Sequence, residues 1–277
     1  MDTALRLAAI ALLLRPMGPW FVRPVILAAA VVALIFPRAL RSPALWATVA
    51  VAIAIRIAED WPLADNHIYL LGYWCLAVAI ALRRADPEPT LVFSSRSLLG
   101  LAFAFAVLWK AVLSPDFLDG RFFRVTLLTD PRFGSASRLV GGLSAAELDA
   151  NRQALTVLPH GAELHEPPAV HEPYRLKIFS TVSTWGILAL EAAVGLSMFA
   201  PLRGRFVALR HAALLTFCAI TYAFAPVAGF GWLLLVMGLA QLEPRQVWLT
   251  RAYVAAFLVV LFYDELPWAD LAVAYFG

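Results

Sequence analysis

Charge is what this sequence most lacks. Only 15% of its 277 residues are charged while 62% are hydrophobic, against about 25% charged in an ordinary soluble domain. One water-soluble core cannot absorb that surplus of apolar side chains. The charged residues cluster between apolar stretches, as in a chain whose solvent is the bilayer. The formal net charge of +3 is thus a property of loops, and no basic run interleaved with aromatics points to nucleic acid. Cysteine is scarce too. Cys75 and Cys218 both stand inside apolar stretches, which gives neither a CxxC motif nor a disulfide framework and predicts buried free thiols. There is no phosphate-cradling glycine loop, no serine-hydrolase elbow, no HExxH motif, no internal repeat and no low-complexity tract.

What is present is a series of apolar segments. A crossing helix needs roughly 20 apolar residues, or about 17 when flanking side chains snorkel. Eight segments meet or approach that, near 20–36, 43–58, 67–82, 97–114, 178–200, 206–224, 226–242 and 246–263. They predict an all-α polytopic transmembrane bundle formed by one domain over 1–277, with Trp46, Trp61, Tyr69 and Trp74 as interfacial anchors. Residues 3–14 are apolar except Arg6. They either lie in the interface or cross as a ninth segment. They lack a small-residue cleavage site and lead directly into the next hydrophobic segment, so they are not read as a cleaved signal peptide.

Basic residues are retained on the cytoplasmic side. The turns holding Arg38 and Arg41, Arg83, Arg84 and Arg96, Arg203, Arg205 and Arg210, and Arg245 and Arg251 all fall on one side. The other side receives Glu59, Asp60 and Asp65, the long loop 115–177, and the acidic tail with Asp264, Glu265 and Asp270. A multi-pass cell-membrane protein with an external C-terminus follows. The external loop is too long for a mere connection. Within it, Ser144 and Glu147 have the spacing of a capping box and open a short helix, whereas the Pro-rich stretch after His160 is expected to be irregular.

Three ionisable groups stand out. His67, at the external mouth of the third segment, has a side chain that exchanges protons near neutrality. On a helix His67, Leu70, Leu71 and Trp74 share a face, which turns the ring inward or leaves it as a polar tip at headgroup level. Lys110, beside Trp109, either snorkels out to water or is held neutral as a base. Glu191 sits about 20 Å deep if its helix starts near 178. It is protonated, paired or facing a cavity, and so serves as a functional group or as hydrogen-bonded glue. Arg56, next to Glu59 and Asp60, reads as a salt-bridged interfacial arginine. His160, His165 and His171 with Glu163, Glu166 and Glu172 match no compact zinc spacing, so no metal site is expected.

The stretch Asn66-His67-Ile68-Tyr69-Leu70-Leu71-Gly72, followed by Trp109-Lys110 and Leu113-Ser114-Pro115-Asp116-Phe117-Leu118-Asp119-Gly120, resembles the horizontally transferred transmembrane (HTTM) domain. That domain is shared by vitamin K-dependent gamma-glutamyl carboxylase and many bacterial proteins. Leu190-Glu191 and Gly229-Phe230-Gly231-Trp232 fit the same pattern. The resemblance implies reduced vitamin K or another quinol as cofactor and lyase-type chemistry at the external face. It also implies His67 and Lys110 as catalytic residues, with Asn66, Tyr69, Trp74, Trp109 and Glu191 around the ligand. Lys110 lies two residues further from the Pro115–Gly120 motif than the carboxylase pattern implies. A regular helix would turn the amine to its far side, and only an irregular helix end accommodates the displacement.

Three functions are open on these grounds. One is a membrane enzyme exchanging protons between His67, Lys110 and a quinol-like ligand. Another is a non-enzymatic factor for maturation or export, with loop 115–177 docking a protein or peptide partner. The third is a proton-coupled transporter using Glu191, which neither inverted repeats nor broken helices support.

Overall fold

Proline opens the helices of this chain rather than breaking them. Its fixed φ and missing N–H suit the first helical turn, and Pro24, Pro37, Pro43, Pro87 and Pro115 all occupy that place. The computed structural model describes residues 1–15, 17–156, 169–202, 204–224, 227–265, 271–272 and 274–275. Among them the fold is all-helical, with no strand. In chain order the helices are α1 (Asp2–Leu14), α2 (Arg23–Ile35), α3 (Pro37–Leu40), α4 (Pro43–Glu59), α5 (Asn66–Ala81) and α6 (Pro87–Leu108). A π-helical turn (Trp109–Leu113) prolongs α6. There follow α7 (Pro115–Leu118), α8 (Arg121–Thr129), α9 (Gly134–Leu139), α10 (Ala145–Ala154), α11 (Tyr174–Phe199), α12 (Val207–Phe224), α13 (Ala228–Leu239) and α14 (Val247–Glu265).

Each of the eight apolar segments is helical, and two helices, Pro87–Leu113 and Tyr174–Phe199, are long and apolar enough to cross a membrane. The first starts ten residues earlier than hydropathy placed it. Asp86 accepts from the Glu88 amide at 3.3 Å and Pro87 begins the turn, so a polar stretch containing Arg96 is helix, not loop.

Residues 3–14, left open above, are part of α1, packed between α2 and α13. Ala4, Leu5, Ala8, Ala9 and Leu12 are buried, the i, i+4, i+8 stripe of a core-facing helix. Its start is pinned where Arg41 donates to both Asp2 carboxylate oxygens at 3.0 and 2.8 Å. Its last turn reaches the opposite end, beside the start of α5. It therefore covers the same length as α2.

α13 is hydrophobic all round and buried all round, with every residue from Gly231 to Gln241 in the interior, as expected of a central helix. A Cβ on Gly231 would stand 2.5 Å from the Tyr222 ring, and one on Gly238 equally close to that of Tyr253. Only glycine allows those approaches. The outward faces elsewhere are apolar: Phe105, Val182, Leu196, Val259 and Phe262 are all exposed. Both cysteines are buried free thiols. Trp46 and Trp74 are fully buried, not interfacial. Indole is large enough to fill the helix seam, and Trp46 Nε1 donates to the Leu40 carbonyl at 2.8 Å. Trp61, by contrast, is exposed. Arg210 lies on α12, buried rather than in a turn, and donates to the Ser197 and Ala200 carbonyls at 3.0 and 3.3 Å. There it satisfies the C-terminal end of α11.

The long loop folds into a cap of short helices with its own core: Leu127, Leu128, Leu143, Leu148 and Leu176. The capping box is present, the Ser144 hydroxyl accepting from the Glu147 amide at 3.2 Å and the Glu147 carboxylate accepting from the Ser144 amide at 2.8 Å. These bonds hold the Glu147 carboxyl below the usual carboxylate range. Buried Asn151 clasps the returning chain at His171, donating to its carbonyl at 2.8 Å and accepting from its amide at 2.7 Å. Arg56 pairs with Asp60, as its neighbours suggest.

Candidate functional site

Asp65 stands as the N-terminal residue before α5 and starts the helix that carries His67. From there the helical repeat puts His67, Ile68, Leu71 and Trp74 along one side of α5, and all four line a cavity of about 630 Å³. Ile68, not Leu70, completes the face. The facing walls come from Leu12 of α1 and Trp232, Leu233 and Val236 of α13. Arg15, Arg23 and Arg132 reach the mouth from the end of α1, the start of α2 and the cap. Arg132 is oriented by Asp130, its Nε donating to both carboxylate oxygens at 3.0 Å. Those bonds keep the Asp130 carboxyl below its usual range.

The deep wall contains an unmet donor. Trp74 is 0% exposed and its Nε1–H has no acceptor among the described residues. A buried donor left unpaired costs about 1–3 kcal/mol, so an acceptor arriving in the cavity gains what the empty wall lacks. His67 is half-buried with carboxylate and guanidinium charge on either side, Asp65 and Arg15. Asn66 and Tyr69 do not line this cavity.

A second polar centre joins α11 to the π-helical turn after α6. Lys110 donates to Glu191 Oε1, and its Nζ lies 5.3 Å from the centroid of Phe117. Phe117 is buried by the one-turn α7. The π turn is the irregular helix end that lets Lys110 face inward. Trp109 beside it is exposed. Glu191 is 6% exposed and its Oε2 has no partner among the described residues. α11 begins at Tyr174 rather than near 178, and its first three turns pack against the cap. Leu176 belongs to the cap core, and Thr181 and Thr184 flank Gly120. Glu191 follows Thr184 by two turns, or about 10 Å.

Lys110 and Glu191 are thus brought together, and neither lines the His67 cavity. Among the described residues no hydrogen bond or ion pair joins His67 to Lys110. The Pro115–Gly120 motif is accounted for by structure: Arg121 binds Asp116 and Asp119, each at 2.8 Å, and Gly120 takes a left-handed conformation with φ of 80°, where glycine is favoured.

Compared with protein-family models, curated proteins and solved structures, the chain matches none. The site therefore rests on its own geometry.

Of the histidine-rich stretch, His171 Nε2 lies 2.9 Å from Glu147 and Glu172 lies 3.7 Å from Arg124. His160, Glu163, His165 and Glu166 lie outside the described residues. Sequence reasoning missed the arginines of the mouth. Arg15 and Arg23 flank the link between two apolar runs, a usable signal once α1 is placed in the bundle. Arg132 had no such signal, since it reaches the mouth only through the folding of the cap.

Proposed function

We propose that the chain is a multi-pass cell-membrane protein in which α1, α2, α4, α5, α6, α11, α12, α13 and α14 make nine crossings. Its outer cavity receives a lipid-soluble, quinol-like ligand, and His67 is the proton-exchanging group. The exposed apolar faces support the membrane reading, because soluble monomers rarely expose contiguous apolar surface on this scale. Helices of 12 to 19 residues span roughly 18–28 Å and suit a locally thin bilayer. Arg38, Arg41, Arg83 and Arg84 mark the cytoplasmic end by the positive-inside rule, which makes the cap and the His67 mouth external.

The observation that carries the ligand reading is the cavity itself: an apolar well with one imidazole and one unsatisfied indole N–H, the composition of a site for a mostly apolar molecule with a polar head. A quinol hydroxyl donates its proton to the His67 ring nitrogen, and the arginines at the mouth stabilise the oxyanion left behind. The likeness of the Asn66–Gly72 stretch to the HTTM domain supports the same ligand class. Lys110 and Glu191 fix the α6–α11 seam beneath the cap in this account.

The test is quenching of tryptophan fluorescence by a short-chain naphthoquinol added to the reconstituted chain. His67→Gln weakens binding about tenfold while the melting temperature stays unchanged. Equal binding by that variant and the wild type sinks the reading. The separately folded cap favours one alternative, a maturation or export factor whose partner docks there. Such a factor loses function when residues 141–156 are replaced by a linker and keeps it with His67→Gln.

A further inference from the structure

At the end of the bundle assigned to the cytoplasm, two arginines come together without a carboxylate between them. Arg210 of α12 is buried and spends its Nε and one Nη2 hydrogen on the Ser197 and Ala200 carbonyls at the end of α11, which leaves Nη1 to donate elsewhere. Half-buried Arg96 approaches from α6. α6 meets the last residue of α11 at Gly100, where a Cβ would stand 2.8 Å from the Phe199 ring, and Arg96 is one helical turn before Gly100 on the same side. The two guanidinium groups are close enough to repel each other. Among the described residues Arg96 has no hydrogen bond or ion pair. The acidic side chains of this end are held elsewhere: Asp2 lies 2.8 Å from Arg41, Glu88 3.9 Å from the terminal amine and Glu243 2.6 Å from Arg245, while Asp86 accepts from the Glu88 amide. The same three helices expose apolar side chains here, Phe93 one turn before Arg96, Phe199 at the end of α11 and Leu209 next to Arg210.

We infer that Arg96 and Arg210 hold the head group of an acidic phospholipid of the cytoplasmic leaflet. Its phosphate oxyanion lies between the two guanidinium groups, and its acyl chains run along the exposed apolar faces of α6 and α11. A bridging oxyanion replaces repulsion with charge-assisted hydrogen bonds, and the planar guanidinium fork matches phosphate oxygens. The depth is that of a head group, because the long apolar run of α6 begins directly after Arg96. Basic pockets between crossing helices on the cytoplasmic side are where such head groups bind. The inference rests on the multi-pass reading and its orientation, and it is independent of the His67 cavity.

The full chain in neutral maltoside detergent is titrated with phosphatidylglycerol, with phosphatidylcholine of the same acyl chains, and with inorganic phosphate, and retained lipid is counted by native mass spectrometry. The acidic lipid is retained about tenfold more tightly than the zwitterionic one, as expected for charge-assisted hydrogen bonds from guanidinium. The preference vanishes in Arg96→Gln, survives in Arg96→Lys and survives in Arg84→Gln, which removes an exposed arginine of the same end. Inorganic phosphate at equal concentration displaces nothing. Equal retention of the two lipids by the wild type overturns the inference, as does an unchanged preference in folded Arg96→Gln. Displacement by inorganic phosphate also overturns it, by showing a site for a free oxyanion. Crosslinking of the wild type with a diazirine-bearing phosphatidylglycerol needs no variant and so decides even if Arg96→Gln fails to fold: label falls between Phe93 and Gly100 and around Arg210, and label confined to other helices overturns the inference. Release of the chain from membranes by alkaline carbonate overturns the membrane reading and the inference together, whereas equal lipid retention by a chain that resists the wash overturns the inference alone.

Discussion

The two polar centres, at His67 and at Lys110 with Glu191, are built in opposite ways. At the α6–α11 seam an amine and a carboxylate, each within an apolar stretch of its helix, have found one another, and Phe117 covers the amine. At the start of α5 the imidazole faces empty volume, and the indole below it has a hydrogen bond to give and nothing to receive it. An ionisable group in an apolar helix is a functional candidate by default. In the proposed reading, structural glue is marked by an opposite charge within reach, and a site by an apolar cavity beside an unmet donor.

The largest effect should come from breaking the seam. Removing one partner of a buried ion pair strands the other and costs about 3–5 kcal/mol, whereas replacing both with apolar residues is often neutral. Lys110→Met should therefore lower the melting temperature sharply and reduce folded yield, while Lys110→Met/Glu191→Leu restores both and leaves naphthoquinol binding intact. Loss of binding in the stable double variant would place Lys110 back among the groups that touch the ligand. At the cavity the larger effect falls on binding. Trp74→Phe removes the unpartnered donor together with part of a ring that fills the seam, so the melting temperature should fall less than in Lys110→Met, while ligand affinity falls about fivefold.

A smaller effect is expected in the cap. Asn151→Ala deletes both bonds to His171 and leaves a backbone amide and carbonyl unmet, a loss of about 2 kcal/mol. Amide exchange across 141–156 should accelerate without change in the bundle helices. The smallest effect is acid loosening of the same region. Asp130 and Glu147 both have folded carboxyls below their usual range. Their stabilisation is present above the unfolded value of about 4 and is lost as pH falls through the depressed folded values. Protection of the cap amides, taken relative to their intrinsic exchange rate at each pH, should be flat from pH 8 to about 5 and fall only below about pH 4. A fall already at pH 6 would contradict the assignment to these two carboxyls.

Much of the architecture was legible because its causes are local. Apolar segments announce helices, and Ser144 with Glu147 announces a cap three residues apart. The resemblance flagged His67, and helical spacing placed Trp74 beneath it on the same face. What escaped depends on distant chain. Lys110 and Glu191 are 81 residues apart, so the two ionisable groups were read singly although each needed an opposite charge. The first helix was left undecided because twelve apolar residues do not settle a crossing. Its place comes from packing against α13, more than 200 residues later. The start of α6 was missed because Arg96 and Glu88 lower its hydropathy, although Asp86 and Pro87 carry the start signal.

The central claim is that the outer cavity, and not the Lys110–Glu191 seam, is where a lipid-soluble ligand meets this protein. Photolabelling the reconstituted chain with a diazirine-bearing naphthoquinol and mapping the labelled peptides tests it directly. Label should concentrate on α5 between His67 and Trp74 and on α13 between Trp232 and Val236, and be competed away by unlabelled quinol. Competable label confined to Trp109–Leu113 and the turn around Glu191 would contradict the account.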